Sequence, residues 1–132
     1  MDILSEKNKS VDLNSYSLKF ISFVLLINAA SQKDLVYLIK HNPNPVIKSY
    51  AYIGLVMKDN NECDNLMKKY YKRITIKIAD EEDVCDTSDV FIRSIHKMKY
   101  RLQSSINGST RSINERENKV IQNEDKIKQE QK

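Results

Sequence analysis

The stretch KDLVYLIKHNPNPVIKSYAYIGLVM, residues 33–57, decides how this chain folds. Two apolar-periodic segments flank one short, proline-bearing turn. Leu35, Val36, Leu38 and Ile39 make the apolar side of a helix expected over about 32–40. Ser31 stands where it opens that helix, and Asp34 in its first turn complements the helix dipole. Asn42-Pro43-Asn44-Pro45 ends it, because a residue before proline is pushed away from helical angles. Asn44 then caps a helix expected over about 45–58, with Pro45 at the first helical position, where its missing N–H is not needed. Val46, Tyr50, Ile53 and Met57 form one stripe on this helix, and Ile47, Ala51, Gly54 and Leu55 a second. Two helices on so tight a turn fold back as an αα-hairpin. Ala51 and Gly54 are small and three apart, so they open a notch for a close-packed helix or, alternatively, a binding groove.

Outward from the hairpin, the segment 15–29 reads as a helix capped by Asn14 or Ser15. Leu18, Phe20, Ile21, Phe23, Val24, Leu25, Leu26 and Ile27 make it apolar nearly all round, so it is expected to be covered on several sides. Residues 1–11 are polar and expected to be flexible. The run LKFISFVLLINAA, 18–30, is short of the roughly 20 apolar residues a membrane span needs. It could serve as a signal-peptide core, since Ala29, Ala30 and Ser31 are small, which would make the protein secreted. The preceding segment is long and carries Asp2, Glu6 and Asp12, whereas a secretory leader starts short and basic. A cytoplasmic core helix is therefore the expectation.

On the other side, a helix is expected over about 62–73, presenting Leu66, Met67, Tyr70 and Tyr71. The segment 74–78, ITIKI, alternates with period two and is β-branched, which permits a short strand. With no partner strand in view, a continued helix or an extended connection is expected there. Residues 80–89 read as an acidic loop, after which Thr87 or Ser88 caps a helix over about 89–105 with Val90, Phe91, Ile95, Met98 and Leu102 on one side. Past residue 105 the composition turns polar. Residues 106–132 are expected to be a charged tail, disordered or a frayed helix, or alternatively a helix induced by a partner through Ile113, Val120, Ile121 and Ile127.

The bulk numbers agree. The chain has 132 residues, one domain's worth, with a formal charge of +4, two Gly, two Pro and no Trp. So few turn-formers favour long helices over a many-stranded sheet. The small positive excess does not by itself require a nucleic-acid partner. Cys63 and Cys85 read as reduced thiols of a cytosolic protein. The expectation is an all-α domain over 12–105.

The hairpin's second half, with Ile47, Lys48, Ala51, Gly54 and Leu55 in order after the Asn-Pro turn, resembles the HEAT repeat, including its short HEAT-like (PBS-lyase-type) variety. The match covers about 33–57. The resemblance implies that Lys48 bonds the turn of a neighbouring repeat, that Ile47 and Leu55 face the sister helix, and that Ala51 and Gly54 let the next hairpin approach. Lys48 stands where the family often has Arg, whose planar fork it lacks. A degenerate second hairpin could run from 62–78 to 89–102. The implied architecture is a short HEAT-like α-solenoid or a compact helical bundle, because solenoids need about three repeats to bury a core. Such surfaces hold partners, mostly proteins. The expected function is a non-catalytic protein–protein interaction module, a scaffold or adaptor, contacting its partner around Lys48, Tyr50 and Tyr52.

Catalytic and metal patterns are missing from the sequence. His41 and His96 lack companion ligands at helical spacing, and His41 can complement a helix C-terminus. Cys85 sits among Asp83, Asp86 and Asp89, which discourage a thiolate. Gly54 and Gly108 are too far apart for a phosphate-binding loop. The acidic run at 80–86 lacks the mid-loop glycine of a calcium-binding loop. No catalytic residue, cofactor, metal or membrane partner is expected. The alternative function is a nucleic-acid-binding accessory protein. It would use Lys68, Lys69, Lys72, Arg73 and Lys77, with Tyr70 and Tyr71 as stacking platforms, beside Arg93, Lys97, Lys99 and Arg101, if the two helices lie side by side.

Overall fold

Side-chain caps set most helix starts. The computed structural model of the chain describes residues 9–130, with side chains to 123. Along them run β1 (Ser10–Asp12), α1 (Leu18–Ala29), α2 (Gln32–His41), α3 (Pro45–Met57), α4 (Cys63–Tyr70), β2 (Ile74–Ile78), β3 (Glu81–Cys85), α5 (Ser88–Lys97) and α6 (Lys99–Glu130). Ser17, not Asn14 or Ser15, caps α1, accepting from the Phe20 N–H. At α2, Ser31 and Asp34 satisfy each other's backbone N–H in a capping box. Asn44 accepts from the Val46 N–H at 2.8 Å, with Pro45 opening α3. Thr87 caps α5 through the Val90 N–H.

The hairpin forms from α2 and α3 as its sequence requires. Its notch is filled from inside the domain. A Cβ placed on Gly54 would lie 3.0 Å from Leu35 Cδ1 and 3.3 Å from Ile27 Cγ1, so α2 and α1 both close on that glycine. Leu35, Ile39, Ala51, Ile53 and Leu55 are fully buried there.

The all-α expectation captures most of the chain and omits a three-stranded sheet ordered β1-β2-β3. Residues 74–78 are a strand, not a continued helix. β2 pairs in parallel with β1 (Val11 opposite Ile76) and antiparallel with β3 (Ile76 opposite Asp83). Two further expectations change with it. Residues 9–11, placed in the flexible N-terminus, bond to β2 along the sheet edge and bury Val11 wholly; residues 1–8 lie outside the described residues. The acidic loop becomes β3, joined to β2 through Ala79, whose φ of 53° is a backbone state usually left to glycine. Asn14 Oδ1 accepts from the Ala79 N–H and ties this turn to the chain leading into α1. Val11, Leu13, Ile74, Ile76 and Cys85 point into the core. On the opposite face the register sets Lys77 between Asp12 and Glu82, a cation flanked by two carboxylates.

The last helix also differs. The turn at Met98 divides 89–105 into α5 and α6. The expected boundary at 105 falls inside α6, and the segment 106–132, read as disordered or as a frayed helix, is helical to Glu130 among the described residues. Leu102 and Ile106 anchor α6 in the core, Ile113 packs partly against it, and Val120 and Ile121 are exposed.

Candidate functional site

Tyrosine and lysine on a helix read naturally as surface groups, yet the three expected partner contacts are buried. Lys48 is 4% exposed, Tyr50 6% and Tyr52 0%. Each polar tip has an internal acceptor. Lys48 Nζ donates to the Ile39 carbonyl near the end of α2 and lies 5.6 Å from the Tyr70 ring centre. It therefore serves the C-terminus of its own hairpin's first helix rather than a neighbouring turn, where a cation also complements the dipole. Burial, with Lys72 nearby, lowers its pKa. The Tyr50 hydroxyl accepts from the Asp12 N–H at 3.0 Å and donates to the Asp12 carbonyl at 2.9 Å, capping the outer edge of β1. Burial raises its pKa.

Tyr52 belongs to the densest polar cluster. Its hydroxyl donates to Asp64 Oδ1 at 2.6 Å. His96 Nε2 lies 3.0 Å from both Asp64 oxygens and 3.3 Å from the Tyr52 oxygen. The cluster joins α3, α4 and α5. Burial works to raise the Asp64 pKa, but the bonds from Tyr52 and His96 outweigh it and hold the carboxyl below its usual value. Neighbouring Cys63 donates to the Asn60 carbonyl at 3.2 Å. Burial and the Asp64 charge push its thiol up to about 12. A protonated thiol beside an imidazole already taken by a carboxylate is an unpromising nucleophile. Burial and two neighbouring aspartates also raise Cys85. His41 packs against the Tyr37 ring in a tilted contact, ring centres 4.5 Å apart. Among the described residues no group of three His, Cys, Asp or Glu side chains could hold a metal ion. Asp64 was not singled out from the sequence: positions 52, 64 and 96 meet only through three separate helices.

The basic residues divide. The Asp64–His96 contact at one end and the Tyr71–Phe91 contact (5.9 Å) at the other set α4 and α5 side by side and antiparallel. Lys68, Lys69, Lys72, Arg93 and Lys97 are exposed on this pair and its flank. Arg73 is bound to Asp86 at 2.9 Å, and Lys99 to Asp59 at 2.9 Å. Lys77 lies on the sheet, and Arg101 is exposed on α6. The expected stacking platforms do not face outward: Tyr70 sits between Lys48 and Lys69, and the half-buried Tyr71 donates to the Cys85 carbonyl.

The uncovered apolar surface is elsewhere. The sequence has α1 covered on several sides, whereas the structure leaves Leu18 82% and Leu25 50% exposed. Beside them a groove of about 350 Å³ opens between α1 and α3, lined by Leu18, Phe23, Leu26, Val46, Ile47 and Tyr50, with Lys19 as its charged member. Ile47 thus borders the groove, where the family resemblance has it facing the sister helix.

No family model, curated protein or solved structure matches this chain. Among the described residues, no helix is long and apolar enough to cross a membrane.

Proposed function

We propose that this chain is a non-catalytic protein-interaction module, a scaffold or adaptor, whose α1–α3 groove receives an apolar helical segment of a partner protein. One observation carries the reading: a helix apolar nearly all round keeps Leu18 uncovered on the lining of an apolar groove, with Leu25 exposed two turns further along. Contiguous exposed apolar surface marks interaction sites. A helix laid in a groove is the recognition mode suited to a short channel between two helices. The lining gives the partner its expected chemistry, two or three apolar anchors on one helix face. In this reading α2 and α3 are a HEAT-like hairpin used singly, and the work is done in the cytoplasm, which the two free, buried cysteines support.

The test places a photocrosslinking side chain at exposed Ser22, on the groove wall. The expected product joins Ser22 to an amphipathic segment of another protein. The paired change Leu18→Glu and Leu25→Glu should abolish it without altering the melting temperature. Crosslinks to a second copy of this chain, or products that persist in the double variant, would refute the proposal.

A further inference from the structure

We infer that the antiparallel pair α4 and α5 forms a second docking surface, for the phosphodiester backbone of double-stranded nucleic acid, held without reading its bases. The inference does not rest on the groove and uses none of its residues. Of the nine cations that the sequence offers for this role, the structure brings Lys68, Lys69, Lys72, Arg93 and Lys97 to this pair and its flank, all exposed. Among the described residues none of the five is in an ion pair. Arg73, bound to Asp86, drops out, as does Lys77 between Asp12 and Glu82.

The neighbouring acids are largely committed: Asp64 to Tyr52 and His96, Asp86 to Arg73. Glu62 and Asp89 lie at the N-terminal ends of their helices. Arg93 and Lys97 are one turn apart, about 6 Å along the axis. Packed helices stand about 8–10 Å apart, so Lys68 and Lys69 form a second row beside them. A two-row array of point charges suits the paired strands of a duplex. Single strands are usually held by outward aromatic rings, and here Tyr70 and Tyr71 are turned into contacts of their own.

Anisotropy titrations of the full chain with short labelled duplex DNA, duplex RNA and a single strand, at several salt concentrations, test this. Both duplexes should bind at low salt in the micromolar range, independently of sequence. For duplex DNA, log Kd should change with log salt at a slope of about 4, near 0.9 per contacted phosphate. The Lys68→Ala, Arg93→Ala double variant should bind at least tenfold more weakly with a slope shallower by about 2. Lys33→Ala with Lys40→Ala, on exposed α2 positions, should change neither. Absence of binding at low salt, tighter binding to the single strand, equal loss in the α2 control, or equally tight binding to anionic vesicles would each overturn the inference.

Discussion

Replacing Tyr50 with Phe isolates what the phenol contributes. The ring should stay, because it stacks on Phe23 with centroids 4.9 Å apart and Phe fills the same space. Only the oxygen leaves, and with it both hydrogen bonds to the outer edge of β1 at Asp12. A neutral hydrogen bond contributes about 1 kcal/mol net, and an orphaned partner adds to the loss. Asp12 is half-buried, so water can satisfy part of what is orphaned. The expected loss is about 1–2.5 kcal/mol, or a fall of about 4–10 °C in Tm. Urea denaturation gives the magnitude, and hydrogen exchange gives its place. The Asp12 amide should exchange about tenfold faster, while amides in the α2–α3 hairpin change only as far as global stability falls. A loss below about 0.5 kcal/mol, with Asp12 exchange unchanged, would show that Tyr50 does not hold β1 in place and would remove the reason given for its burial.

Gly54→Val should destabilise by about 2–4 kcal/mol in urea titrations, because even its Cβ would meet Leu35 at 3.0 Å; Gly54→Ala should cost less, offset by up to about 1 kcal/mol of helix propensity. Ala79→Gly should leave stability unchanged or raise it by at most about 1 kcal/mol, since relief of the positive φ competes with added freedom in the unfolded chain; a clear loss in the same titration would contradict the turn. The folded Asp64 pKa lies below the ordinary 3.8, so its contribution to stability is full above that value and disappears as pH falls through the folded value. The stability difference between wild type and Asp64→Asn should therefore shrink as pH falls below about 4, as thermal melts across the acid range will report.

Much of the helical layout was legible because its causes are local. Ser31 with Asp34 and Asn44 with Pro45 act within one turn of helix, and the apolar spacing of Leu35, Ile39, Ile53 and Leu55 announces a buried side by itself. Pairing was not legible. β2 finds one partner in residues 10–12, far away in sequence, and the other in β3, where only Cys85 is buried and no inside–outside alternation gives it away. The same limit hid the fates of Lys48, Tyr50 and Tyr52. Residue type says that a polar tip needs an acceptor, and only the assembled fold puts the Ile39 carbonyl, the Asp12 edge and the Asp64 carboxylate within reach. For α1 the sequence determined that the helix is apolar nearly all round. The packing of the rest of the domain decided which stripe stays in water, because burying one side of a helix is a matter of how many neighbours arrive and not of what the helix itself prefers.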